Sequence, residues 1–150
     1  RAGRMTIFDR SWYGRVLVER VERLIPAESW MRAYGEINAF EEELARNGSL
    51  VMKFWLHISA EEQLKRFKAR RKNAHKQWKL TDEDWRNREN WEAYEAAVTD
   101  MVAYTSTETA PWHLIGANNK HYARIRVLEI VAESLRQGLA KRRIKVPMGK

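Results

Sequence analysis

An α/β domain layered on a parallel sheet is the architecture to expect from these 150 residues. Three features carry that expectation. Short apolar runs alternate with longer amphipathic segments, in the order strand, helices, strand, helices, strand, helix. The run Leu50 to Ile58 is almost continuously apolar, as befits a strand in the middle of a parallel sheet. Polar residues with chemical potential (Asp9, His57 with Ser59, Gly116 with Asn118) fall at the carboxyl ends of the three strand candidates. Open parallel sheets hold their ligands there.

Each element has a local reason. Met5-Thr6-Ile7-Phe8 reads as a short buried strand ending at Asp9. Leu17, Val21 and Leu24 share one face of a helix spanning Val16 to Leu24, which Pro26 stops. Ser29 is the expected cap of a second helix reaching Asn47-Gly48. Trp30, Tyr34, Ile37, Phe40 and Leu44 recur there at three or four residues. In the strand Leu50 to Ile58, Lys53 is expected near an exposed end. Ser59, with Glu62 three residues on, predicts a capping box and a helix that turns Leu64 and Phe67 inward. Lys72 to Leu80 lacks apolar periodicity and reads as a basic loop. Thr81 caps the next helix, whose first turn carries Asp82, Glu83 and Asp84 where the helix dipole favours negative charge. Trp91, Tyr94, Val98 and Met101 form the buried stripe of its continuation. Ala110-Pro111 breaks it, and Trp112 to Ile115 is a third strand closed by Gly116. The last helix, about 119–139, is expected to turn Tyr122, Ile125, Leu128, Ala132 and Leu135 inward.

Composition narrows the function. The length suits one domain, and no repeat, low-complexity tract or linker divides it. With 44% hydrophobic residues and seven tryptophans, the chain can build a packed core. There is no cysteine, which excludes disulfides and thiolate metal sites and suits a reducing cytoplasm, the expected location. No apolar run approaches the ~20 residues that cross a bilayer, so no membrane partner is expected. The net charge of +8 is concentrated in two places. Lys65 to Arg88 holds ten Lys/Arg against three acidic residues, and Arg136 to Lys150 holds six basic residues and no acidic one. An anionic partner is expected to meet one of them; the bland alternative is a solvated helix face and a basic tail over 140–150.

An aspartate ending an apolar strand is the Walker B arrangement, in which a carboxylate holds Mg²⁺ beside phosphate oxygens. The pattern alone is weak, because many strands end in an aspartate that serves a turn. Arg10 and Arg15 follow at once, and guanidinium forks match phosphate oxygens. The basic segment about 65–88, helix then loop then helix, has the make-up of a lid that closes over phosphates and shuts out water. Trp78 either anchors that loop or, like Trp85, simply packs. His57, His75, His113 and His121 have no metal-ligand spacing, and Glu41-Glu42-Glu43 reads as a solvated face. The Walker A loop, G-x-x-x-x-G-K-[ST], is missing. A Walker B strand normally follows that loop, so the first strand is expected upstream of a chain that opens on Arg1 without an initiator methionine.

The segments FDRSWYGRVLVERVE, KFWLHISAEEQLKRFKAR, WKLTDEDWRNRENWEAYEAAV and TSTETAPWHLIGANNKHYARIRVLEIV resemble the polyphosphate kinase 2 family, in register from about Gly3 to Leu135. SWYGR, where many members have SWYNR, is similar to the branch with two fused kinase-like domains, associated with phosphoryl transfer from polyphosphate to AMP. The resemblance implies a three-layer P-loop kinase-like fold truncated at its N-terminal strand, dependence on Mg²⁺, and a helical lid over a basic channel. It makes Asp9 the Walker B carboxylate and metal ligand, Arg10 and Arg15 phosphate-channel arginines, and Glu19 a polar member of the same wall. It puts Arg70, Lys76, Lys79 and Arg88 on the lid side, and Lys120 and Arg124 against phosphate at the head of the last helix. The partners implied are inorganic polyphosphate and a nucleoside mono- or diphosphate. Two departures stand out: Asn73-Ala74-His75 lacks the proline usual before the lysine pair, and Asn119 stands where an acidic residue is usual.

The first expectation is therefore the carboxyl-side part of a polyphosphate-dependent kinase, inactive without its Walker A half. A degenerate kinase half serving polyphosphate docking or assembly is the second. A nucleic-acid binder is the third; the charge favours it, but no recognition motif accompanies it. An unpaired sheet edge and exposed apolar surface also predict a homo-oligomer.

Overall fold

The computed structural model describes residues 3–75, 78 and 80–141. Two parallel strands, β1 (Lys53–His57) and β2 (Trp112–Gly116), pair in register from Lys53↔Trp112 to His57↔Gly116. Between them the chain runs through α3 (Ala60–Arg71), α4 (Asp82–Glu89) and α5 (Trp91–Thr105). Before β1 lie a 3-10 helix (Ser11–Val16), the single turn α1 (Val18–Val21) and α2 (Ala27–Arg46); after β2 comes α6 (Lys120–Lys141).

Strand alternation sends the two faces of this sheet into two cores. Trp55 and Trp112 face a core of Tyr13, Val16, Ala33, Tyr34, Ile37 and Met101, built by the 3-10 helix, α2 and α5. Phe54 and Ile115 face the other way, onto Ala123, Val127 and Ile130 of α6. The result is helix, sheet, helix: the expected three-layer α/β arrangement.

Both caps start their helices, but the box expected at Ser59 is half formed: Ser59 N donates to Asn118 Oδ1, and the Glu62 carboxylate accepts from Arg66 instead. Ser59 Oγ accepts from Glu62 N at 3.2 Å and starts α3, and Phe67 is buried with Trp85 against its edge at 5.2 Å. Thr81 and Asp84 exchange bonds in a capping box at the start of α4. Ser59→Ala is expected to cost about 1 kcal/mol of folding free energy, read as a shift in the urea midpoint at unchanged slope.

Five expectations need correction. Met5 to Phe8 is not a buried strand: it has no β partner among the described residues, and Ile7 is 87% exposed. An apolar run makes a strand only beside a neighbour. The helix expected over Val16 to Leu24 divides into the 3-10 helix and α1, which ends at Val21; Arg23 beyond it has φ 55°. Nine residues rich in valine give little intrinsic helix stability. The second helix begins at Ala27, not beyond Ser29; Pro26, with φ already fixed, is its cap, and its carbonyl accepts from Ser29 N at 3.1 Å. Phe40, assigned to that helix's buried stripe, is half exposed and meets Trp12 edge-on at 4.9 Å. Lastly, α6 buries the stripe Ala123, Val127 and Ile130, leaving Tyr122, Ile125, Leu128 and Leu135 exposed. The helix carries two apolar stripes, and the small Ala123 lets it approach β2 closely.

On the α6 face, His113 stacks on Phe54 at 5.3 Å. Burial, then the positive charge of Arg126, lowers its pKa from 6.5. The unfolded chain therefore takes up this proton first as pH falls. Stability is expected to be full above pH 6.5 and to be lost as pH drops from there through the lowered folded value. His113→Gln should flatten the dependence of the thermal midpoint between neutral pH and the onset of carboxylate titration.

Candidate active site

Asp9 sits on an exposed bend, its carbonyl accepting from Ser11 N at 2.9 Å. The next two residues have positive φ, 65° at Arg10 and 56° at Ser11. Such backbone costs of order 1–3 kcal/mol per residue and survives only where the surroundings impose it. Arg10 reaches across to α4, where its Nη1 lies 3.5 Å from Glu83 Oε1. Arg15 lies 3.4 Å from Glu19, one helical turn on. Asp9, Arg10, Arg15 and Glu19 thus occupy one continuous turn, and Arg10 links it to the first turn of α4. Tyr94 lies in the same electrostatic neighbourhood; burial raises its pKa, with Glu22 and Glu83 adding to the rise and Arg10 opposing it.

Residues 65–88 comprise the second half of α3, a turn at 72–75 and most of α4. Arg70 is half buried near the end of α3. Arg88 is a brace: its Nη1 donates to the Ala60 carbonyl at 2.6 Å and to Gln63 Oε1 at 3.2 Å, tying α4 to the start of α3. Trp78 is largely exposed and donates from Nε1 to the His75 carbonyl at 3.0 Å. Lys76 and Lys79 lie outside the described residues, as does most of the expected basic tail. Lys120 and Arg124 are exposed on the first turns of α6, which Asn119 caps by accepting from His121 N and Tyr122 N at 3.0 and 3.1 Å. Arg66 pins the preceding loop, donating to the carbonyls of Ala117 and Asn118.

A cleft of about 650 Å³ opens at the carboxyl ends of β1 and β2, lined by Trp55, His57, Trp91, Tyr94, Val98 and Leu114 among others. Its wall is aromatic and aliphatic, and none of the arginines or lysines assigned to phosphate lines it. Those residues lie elsewhere: Arg10 and Arg15 pair with Glu83 and Glu19, Arg70 and Arg88 belong to α3 and α4, and Lys120 and Arg124 stand at the head of α6.

Two residues invert their sequence reading. Lys53 is 6% exposed and Glu41 is 1% exposed, and their side chains meet at 2.7 Å. Lys53 is therefore not at an exposed end, nor Glu41 on a solvated face. Lys53 Nζ also donates to Tyr13 Oη at 3.0 Å and to the Thr105 carbonyl at 2.6 Å, while Glu41 accepts from Tyr13 Oη at 2.7 Å and Trp12 Nε1 at 3.1 Å. Burial lowers the Lys53 pKa, partly offset by Glu41, and burial raises that of Tyr13. A signal existed: positions 30, 34, 37, 41 and 44 continue the apolar spacing of α2 through Glu41 better than through Phe40.

Mg²⁺ binds typically through one or two carboxylates, keeping waters and taking phosphate oxygens for the rest. The donor set fits that habit and not a protein cage: Asp9 is a single exposed carboxylate, and no group of three or more His, Asp or Glu gathers among the described residues.

The described residues thus form a layered α/β body, with an Asp-Arg turn linked to α4 through Arg10 and Glu83. Comparison with known proteins makes this particular. The chain belongs to the polyphosphate kinase 2 family, whose family model matches residues 1–143. It is 54% identical over 136 residues to a polyphosphate:AMP phosphotransferase of Pseudomonas aeruginosa, covering 91% of this chain and 27% of that protein. An AMP/ADP-polyphosphate phosphotransferase of Meiothermus ruber is 42% identical over 93% of this chain and 52% of its own length. A crystal structure from P. aeruginosa described as a putative polyphosphate kinase 2 superposes with a TM-score of 0.88 at 54% identity, over 91% of this chain and 29% of that one. The chain thus spans between about a quarter and a half of these relatives' length. No helix among the described residues is long and apolar enough to cross a membrane.

Proposed function

We propose that these residues are the carboxyl-side part of a polyphosphate-dependent nucleotide phosphotransferase, moving a phosphoryl group between inorganic polyphosphate and AMP or ADP. The extended identity to the P. aeruginosa polyphosphate:AMP phosphotransferase carries this reading. The linkage of the Asp9–Glu19 turn to α4 through Arg10 and Glu83 supports it.

In this reading Arg10 and Arg15 present guanidinium forks to phosphate oxygens, and Glu19 orients the Arg15 head. Residues 65–88 form the lid, with Arg70, Lys76 and Lys79 toward phosphate and Arg88 holding its two helices together. Lys120 and Arg124 extend the cationic track to α6. An anionic phosphate oxygen of AMP attacks the terminal phosphorus of the chain. A new P–O bond forms, the bond to the next phosphate breaks, and its electron pair stays on the shortened polyphosphate. The nucleophile is already ionised at neutral pH, so no general base is required. The protein's contribution is alignment and charge neutralisation. Asp9 would hold Mg²⁺, which neutralises charge on the phosphate oxygens when bound. The exposed stripe Tyr122, Ile125, Leu128 and Leu135 supports self-association, which a monomeric mass by light scattering would remove.

The test is incubation of the complete polypeptide carrying this sequence with AMP, inorganic polyphosphate and Mg²⁺. ADP should accumulate only when all three are present. Polyphosphate binding without ADP would instead support a docking role, and duplex binding that polyphosphate does not displace would support nucleic acid.

A further inference from the structure

Among the described residues, the buried polar residues Glu41, Lys53 and Thr105 cluster behind the Asp9–Arg15 turn. One carboxylate oxygen, Glu41 Oε1, accepts hydrogen bonds from the side chains of two consecutive residues, Trp12 and Tyr13. The other, Oε2, accepts a hydrogen bond from Lys53 Nζ at 2.7 Å. Lys53 Nζ also donates to Tyr13 Oη and the Thr105 carbonyl. Every polar atom of the Glu41–Lys53 pair is satisfied, and both residues are buried.

As a source of stability this is a poor arrangement. Removing two charges from water offsets most of their attraction, and apolar side chains of similar volume hold elements together as well or better. What the pair supplies, and apolar side chains would not, is direction. Oε1 is satisfied by both donors only when Trp12 and Tyr13 take one orientation. That orientation is reinforced by rings: Trp12 lies 5.5 Å from Phe8 and 4.9 Å from Phe40, and Tyr13 meets Trp112 edge-on at 4.8 Å. Phe8 and Trp12 thus flank the two positive-φ residues. Ser11 Oγ is buried without a hydrogen-bond partner among the described residues, a further sign that the turn does not adopt its shape for its own local benefit. Strained backbone of this kind persists when its flanks are over-determined.

We propose that Glu41, oriented by Lys53, is the positioning residue of the Asp9–Arg15 turn: by holding Trp12 and Tyr13 it imposes the backbone at Arg10 and Ser11 that aims Asp9, Arg10 and Arg15 at phosphate. Aiming at phosphate rests on the phosphotransferase reading above; fixing the turn does not.

Two double variants of the complete polypeptide separate this role from simple packing. Both remove the buried charge pair. E41Q/K53M keeps an acceptor oxygen for Trp12 and Tyr13, and E41L/K53M does not. Amide hydrogen exchange over residues 10–15 should be faster in E41L/K53M than in E41Q/K53M, while exchange in the α5 core is alike. At temperatures where both are fully folded, kcat for ADP formation should be roughly ten-fold or more lower in E41L/K53M, with the same KM for AMP. A merely structural role would move the melting temperature and leave both comparisons level; level exchange therefore overturns the inference. If the unaltered protein makes no ADP, the functional reading fails, and exchange alone decides whether Glu41 fixes the turn. Tyr13→Phe covers failure of either double variant to fold. It deletes one donor to Glu41 and leaves the ion pair, and faster exchange over 10–15 is expected; unchanged exchange would count against the inference.

Discussion

Asp9→Asn in the complete polypeptide is expected to lower phosphoryl transfer by about 10²–10³ while leaving the fold intact. The substitution keeps size and shape and removes the charge that would hold a divalent cation against phosphate oxygens. Loss of a single well-placed electrostatic group at a reacting centre has effects of that order. The fold should not register it. Asp9 is exposed, and the contact it supplies to the turn comes from its backbone carbonyl, which accepts from Ser11 N whatever the side chain. Exposed substitutions away from caps and networks stay within about ±0.5 kcal/mol. Paired assays of ADP formation and urea unfolding check both halves. Transfer at the unaltered rate would remove Asp9 from the chemistry.

The largest effect on stability is expected at Lys53. Lys53→Met is close to neutral in volume but leaves Glu41 buried with a carboxylate oxygen that has lost its cation. Breaking a buried pair from one side costs roughly 3–5 kcal/mol, because the surviving charge stays out of water. That is a large share of the 5–15 kcal/mol by which domains are ordinarily stable. The double change E41L/K53M should recover most of the loss, since neither charge then remains. Urea denaturation of the two single variants and the double closes the cycle, and additive losses would show that the pair is not coupled.

These expectations also show where the chain is readable and where it is not. Caps are local chemistry. Ser59 with Glu62 and Thr81 with Asp84 lie three residues apart, and each starts its helix. The same locality makes β1 and β2 legible as apolar runs, together with the Asp-Arg-x₄-Arg spacing of the turn after Phe8. The larger failures are matters of partnership. Met5 to Phe8 has the composition of a strand, but a strand needs a neighbour to become one. In α6 two apolar stripes compete, and only the fit of Ala123 against the sheet decides between them. Glu41 and Lys53 look solvated one at a time. Each is buried because the other is, and because Tyr13 and Thr105 supply the remaining hydrogen bonds. The Arg88 brace is hidden for the same reason: nothing near it in the sequence announces the Ala60 carbonyl it donates to.

Arg66 through Nη2 and Arg88 through Nη1 donate to carbonyls within the fold, tying down the loop after β2 and joining α4 to the start of α3. Under the phosphotransferase proposal, Arg70, near the end of α3, is among the cations that would meet phosphate. Part of the positive charge of segment 65–88 is thus engaged inside the fold.

The central claim is that the Asp9–Arg15 turn and the helices at 65–88 grip a chain of phosphates around a divalent cation. The most direct measurement is a crystal structure of the complete polypeptide with Mg²⁺ and a short phosphate oligomer. The metal should bind at the Asp9 carboxylate, with the oligomer against Arg10 and Arg15 and beneath the helical pair. An oligomer bound elsewhere, with Asp9 touching neither metal nor phosphate, would contradict it.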